Sequence, residues 1–206
     1  DGRYRVVSNV VNTDIFSYKP PPREGPFRLL HVSDFNEGHK NIRGLLKAFA
    51  CLEQRSDRPD VLNLAGDGDQ GELQDKINFI GVKNVSFSGP HTEAEVAAQM
   101  QACHAFVLLS NYENQPVVLL EAQVSGRPCV STPVGGIPDI IVEGETGFMT
   151  PLGDEAGLAR TIEQMRDGYD DFKHQQIRRR AIGIYGAAAV RRAISEEDRR
   201  SVRGNG

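Results

Sequence analysis

The chain has 206 residues, 39% apolar and 25% charged, with a formal charge of −4, a length and balance that describe one globular domain with room for a proper core. The slight acidity gives no electrostatic basis for binding nucleic acid, and no apolar run approaches the roughly 20 residues that span a bilayer. Cys51, Cys103 and Cys129 are odd in number, lie in apolar predicted elements and lack C-x-x-C spacing, which predicts a reduced, cytoplasmic chain, and no secretory or transit pattern is visible.

Tyr4 to Ile15 reads as strand-like and breaks into K-P-P-P-R-E-G-P, a stiff proline-rich connector, so residues 1–25 are expected to form a linker-like segment with a strand. From 26 to about 170 the apolar runs F-R-L-L-H-V-S, D-V-L-N-L-A-G, N-V-S-F-S-G, H-A-F-V-L-L-S and R-P-C-V-S-T alternate with amphipathic stretches near 40–55, 70–80, 92–102 and 116–125. A helix near 137–143, the short strand G-F-M-T and a helix near 154–167 complete the unit. This alternation predicts an α/β, Rossmann-like doubly wound parallel sheet, and its apolar strands predict that both sheet faces are covered. Residues 171–206 read as a C-terminal helical extension, interrupted at Gly183 and Gly186.

Ligands of such sheets bind at the carboxyl ends of the strands, so the loops Ser33–Lys40, Gly66–Gly71, Gly89–Thr92, Ser110–Pro116 and Thr132–Pro138 hold the candidates. Glu113 and Glu121 bracket a predicted helix that Pro116 opens at its first position and Gly126 closes. A separation of eight residues would be roughly 12 Å along a helix, with unpaired N–H groups and a positive dipole end between the carboxylates, an arrangement suited to a ligand of sugar, diphosphate and ribose. Gly66, Gly68 and Gly71 match G-x-G-x-x-G, but the motif follows the second strand and the next strand ends in Ser88 and Gly89 rather than an acidic residue. A glycine-rich turn shaping a nucleotide pocket therefore fits better than a dehydrogenase fingerprint. Lys40, at the mouth of the first helix, could reach a diphosphate. Gly135 and Gly136 allow close backbone approach in a tight turn. His104 beside Cys103 reads as a buried, hydrogen-bonded histidine, and Arg178–Arg180 as a solvated helix face. No cluster has metal-ligand spacing.

In order and spacing, H-K-N-I-R-G-L-L-K-A-F, L-A-G-D-G, V-S-F-S-G-P, E-N-Q-P-V-V-L-L-E-A, S-G-R-P-C-V-S-T, V-G-G-I-P-D-I-I and G-E-T-G-F resemble the C-terminal, donor-binding half of the GT-B fold glycosyltransferases of family 4, retaining enzymes that use nucleotide sugars. The resemblance covers nearly the whole chain. It implies that Glu113 contacts hydroxyls of the donor hexose and that Glu121 contacts the ribose. It places backbone N–H groups of Asn114, Gln115 and Val117 on the diphosphate, with Lys40 neutralising the leaving group, and puts Gly89, Pro90 and His91 beside the base. The sequence departs from relatives at V-S-D-F, where Asp34 stands near a common arginine, so that Lys40 acts alone, His39 or Arg43 assists it, or donor binding is weakened.

The resemblance further implies no cofactor and no metal, a nucleotide-diphosphate sugar as substrate, and an N-terminal Rossmann-like acceptor domain as partner. That missing domain makes an isolated chain that binds nucleotide sugar without transferring it, and a full-length protein peripheral to the membrane is compatible with the pattern. Two further classes stay open: a GT-B enzyme of other chemistry, such as a nucleotide-sugar epimerase or sugar synthase, and a non-catalytic nucleotide-sugar-binding domain.

Overall fold

The computed structural model describes residues 8–55, 58 and 60–203. Six strands, β1 (Arg28–Ser33), β2 (Val61–Gly66), β3 (Val85–Ser88), β4 (Ala105–Leu108), β5 (Cys129–Ser131) and β6 (Gly147–Met149), form one sheet in the order β3-β2-β1-β4-β5-β6. All five pairings are parallel. Each apolar run predicted as a strand is one, and the reason is visible in β1 and β4. Leu29, Ala105 and Val107 point into one core cluster and Leu30, Phe106 and Leu108 into the other, so both faces are buried and strict polar alternation is absent.

One face is covered by α2 (Ile42–Arg55), α3 (Gln70–Ile80) and α7 (Glu155–Asp167), the other by α4 (Glu93–Ala102), α5 (Val117–Val124), the short α6 (Ile137–Ile140) and α8 (His174–Tyr185). Chain order reverses between β1 and β4, which opens a crevice at their carboxyl ends.

Several boundaries differ from expectation. The helix near 40–55 is two helices, α1 (Glu37–Lys40) and α2, separated by Asn41 in a left-handed conformation (φ 43°). Pro116 is the residue before α5 rather than its first helical residue. A 3-10 turn at Tyr169–Asp171 precedes α8, which runs through Gly183 without interruption; only Gly186 separates it from α9 (Ala187–Arg203).

The strand expected from Tyr4 lies partly outside the described residues, and between Ser8 and Ile15 the chain makes a single bridge, Val11 to Gly186. Val11 and Phe16 are nevertheless core residues. Among the described residues no helix is long and apolar enough to cross a membrane.

Candidate functional site

The crevice is built from the loops leaving β1 and β4. Under the first of them lies His31, fully buried. Its Nδ1 is 3.0 Å from the Val107 carbonyl oxygen, which can only accept, so that nitrogen carries the proton and Nε2 accepts from Ser33 Oγ at 2.8 Å. Ser33 Oγ in turn accepts from the Phe35 N–H. Burial pushes the imidazole down to about 4, so a neutral, fully bonded ring supports the loop.

Asp34, which stands where the resemblance leads one to expect an arginine, is exposed and accepts from the Asn36 N–H, making the turn into α1. Asn36 then accepts from the His39 N–H at the start of that helix. At its other end, the Gly38 and His39 carbonyls accept from the side chain and N–H of Asn111 in the β4 loop. One turn of helix is thereby fastened across the switch point, and Lys40 comes with it.

Lys40 Nζ donates to Glu113 Oε1 at 2.5 Å, although 73 residues separate the two in sequence. Their side chains are 18% and 8% exposed, a largely buried ion pair. Ser110 Oγ donates to the same carboxylate oxygen at 2.7 Å. Ser110 is itself held by Thr132 at the exit of β5, whose Oγ1 accepts from the Ser110 N–H and donates to the Ser110 carbonyl.

Gly135 (φ +54°) completes the support, because a Cβ there would stand 1.7 Å from the Glu113 carbonyl oxygen. The next residue, Gly136, donates its N–H to the Asn114 carbonyl at 2.8 Å. The close approach expected of Gly135 and Gly136 is therefore to the backbone of the glutamate loop.

Glu113 lies in that loop, and only residues from Val117 onward are helical; the helical estimate of its separation from Glu121 does not apply. Asn114 is exposed at the tip. Gln115 turns its side chain away: Oε1 accepts from the Asn9 N–H at 2.7 Å and from Ser8 Oγ at 3.2 Å. Val117 opens α5 and is exposed. Glu121, one helical turn further, is half-buried; burial first, and then the Glu93 carboxylate, push it up to about 7.

The remaining candidates line the β2 and β3 exits. At Gly66 a Cβ would stand 1.7 Å from the Ser33 carbonyl oxygen, and at Gly68 2.7 Å from the Phe35 ring, so both glycines make room for the β1 loop. Gly89 accepts from the Gly66 N–H at 3.3 Å, and Pro90 follows it, exposed. His91 Nε2 lies 2.8 Å from both Ser88 Oγ and Gln99 Nε2.

Two helpers of Lys40 were proposed, His39 and Arg43. Arg43 lies over the Phe79 ring at 5.9 Å and His39 is beside Tyr112. Arg178 is not part of a solvated face, since its guanidinium donates to the Phe16, Val124 and Thr13 carbonyls. His104 is the bonded histidine expected: Nδ1 accepts from the Arg28 N–H, and Nε2 is 2.9 Å from the Pro22 carbonyl.

Ser110, Asn111 and Thr132 lie in loops expected to hold candidates, but the sequence assigns them no role. A hydroxyl at a strand exit three residues before a carboxylate was the available signal for Ser110. The partnership with Thr132 depends on β4 lying beside β5, and that of Asn111 on α1 crossing the switch point.

Residues 26–167 match the family described as "Glycosyl transferases group 1". N-acetyl-alpha-D-glucosaminyl L-malate synthase of Bacillus anthracis is 31% identical over 150 residues, which cover 68% of this chain and 36% of the relative. The chain is also similar in structure to sucrose-phosphate synthase from Thermosynechococcus elongatus (TM-score 0.81, 19% identity, 99% of this chain and 54% of the other). A third likeness is to Anabaena HepE in complex with UDP-glucose (TM-score 0.78, 21% identity, 94% of this chain and 56% of the other). The chain thus spans 36% of that relative and 48% of phosphatidyl-myo-inositol mannosyltransferase of Mycobacterium leprae, another curated relative it matches.

Proposed function

The chain belongs to the glycosyl transferases of group 1, and from that premise we propose that its crevice is the donor site of a retaining GT-B enzyme of family 4. In this reading a hexosyl group passes from a nucleotide-diphosphate sugar to an acceptor with retention of configuration. The observation that carries it is the meeting of Lys40 and Glu113 at the topological switch point, beside the amino end of α5. A cation, a helix N-terminus and a carboxylate held by Ser110 are the chemical counterparts of diphosphate and sugar hydroxyls. The complex of HepE with UDP-glucose, in a similar fold, supports this choice of ligand.

As the bond from the anomeric carbon to diphosphate breaks, negative charge grows on the leaving oxygens. Lys40 and the N–H groups of Asn114, Gln115 and Val117 would stabilise it there, so the neutralising charge comes from the protein without a divalent metal. Glu113 would accept from hydroxyls of the hexose, and Glu121 from the ribose. Gly89, Pro90 and His91 would border the base. The acceptor would be held by a further Rossmann-like domain, so this chain alone would bind the donor without transferring it.

Calorimetry with UDP, GDP and ADP and their hexose esters tests this directly. One nucleotide sugar should bind, and Lys40→Ala should weaken it by roughly tenfold or more, about 1.4 kcal/mol per decade. Absence of binding to every nucleotide sugar would remove the donor site. Rapid transfer by the isolated chain would instead show that no further domain is needed.

A further inference from the structure

Resting on the donor-site reading above, we propose that the Lys40–Glu113 pair is an exchange latch that couples recognition of the diphosphate to recognition of the sugar. The site is neutralised from within. Lys40 Nζ, the cation available to a diphosphate, is bonded to Glu113 Oε1 at 2.5 Å, and both side chains are mostly buried. A diphosphate that takes Lys40 leaves Glu113 with the hydroxyl of Ser110 as its one remaining side-chain donor among the described residues.

A largely buried carboxylate deprived of its counter-ion is costly. A hexose attached to the diphosphate brings hydroxyls, and each hydroxyl can donate to the vacated carboxylate positions. A nucleotide sugar therefore replaces what it breaks, whereas a nucleoside diphosphate breaks the pair and returns nothing to Glu113. The same asymmetry acts in reverse once the sugar has gone, because Glu113 then recovers Lys40 and competes with the diphosphate for it. The acid that contacts the sugar would thus also drive release of the product nucleotide.

Two substitutions at this site are expected to act with opposite sign on one ligand. Glu113→Gln keeps the shape and removes the competing charge, so affinity for the nucleoside diphosphate should rise about tenfold while the preference for the nucleotide sugar collapses toward one. Ser110→Ala removes the donor that supports Glu113 once Lys40 is taken, so affinity for the nucleoside diphosphate should fall severalfold.

The test is calorimetry on the whole chain with UDP, GDP and ADP, each with and without its hexose, with thermal melts to verify folding. A Glu113→Gln protein that binds nucleoside diphosphate no better than the parent overturns the latch and leaves the donor site standing. A parent chain that binds none of these ligands overturns both. Should Ser110→Ala fail to fold, Glu113→Gln alone decides the outcome.

Discussion

At Glu121 a half-buried carboxyl lies on α5 with another carboxylate, Glu93, acting on it, and its pKa is raised to about 7. Ribose hydroxyls would donate to the ionised form, so a ligand bound there selects the deprotonated site. Affinity for a nucleotide sugar should therefore rise about tenfold between pH 6 and pH 8, following the ionised fraction. The nucleotide sugar is the proper probe, because a terminal phosphate titrates near pH 6 on its own account. Glu121→Gln should flatten the profile, and a parent protein with a flat profile would take Glu121 out of the site. Stability runs the other way. A carboxyl whose folded pKa lies above its ordinary 4.5 contributes stability that is complete below that value and is lost as pH rises through about 7. Glu121→Gln should accordingly raise Tm at pH 8 and leave it nearly unchanged at pH 4.

At the scale of elements, α8 carries a glycine the helix does not need. Gly183 lies inside His174–Tyr185, and a Cβ there would meet nothing within 4 Å. Alanine at that position should stabilise the chain by about 0.5–1 kcal/mol, read as a rise in denaturation midpoint, because it removes glycine's backbone entropy without a clash. An unchanged or lowered midpoint would mean that α8 gains from flexibility at Gly183. The sequence marked this glycine as a breaker on composition alone, while packing of Ile177, Ala181 and Tyr185 into the body carries the helix through it. The strands were legible for the opposite reason: burial on both faces leaves long apolar runs such as F-R-L-L-H-V and H-A-F-V-L-L that few other elements produce. The division at Asn41 is written in that residue itself, since asparagine tolerates the left-handed cap of α1 and its Oδ1 accepts from the Gly44 N–H at the start of α2. The spacing of Glu113 and Glu121 could be read from the chain, and Lys40 could be named. Their pairing across 73 residues could not, because only the sheet order brings β1 and β4 side by side.

Across the whole molecule, the segment before β1 is held to the body as a strap, and one device that holds it is Arg127. This fully buried guanidinium donates through Nε to the Met100 carbonyl at 2.6 Å and through Nη2 to the Lys19 and Gln101 carbonyls at 2.8 Å each. Two of the three acceptors belong to the last turn of α4, where the helix dipole favours a cation, so one side chain caps a helix and grips the connector. Gln101 adds bonds to Ser17, and His104 to the Pro22 carbonyl. The connector thus reaches the body through α4 and β4, while Gln115 ties Ser8 and Asn9 directly to the glutamate loop. Lysine cannot reproduce a planar fork that serves three carbonyls. Arg127→Lys should therefore cost about 2–3 kcal/mol through carbonyls left unpaired and should speed tryptic cleavage after Arg23. If cleavage there keeps its parental rate while Tm falls, Arg127 serves α4 alone and the strap is held by Phe16 and Arg178. If both change together and nucleotide-sugar affinity falls as well, the strap also sets the position of the loop that carries Glu113.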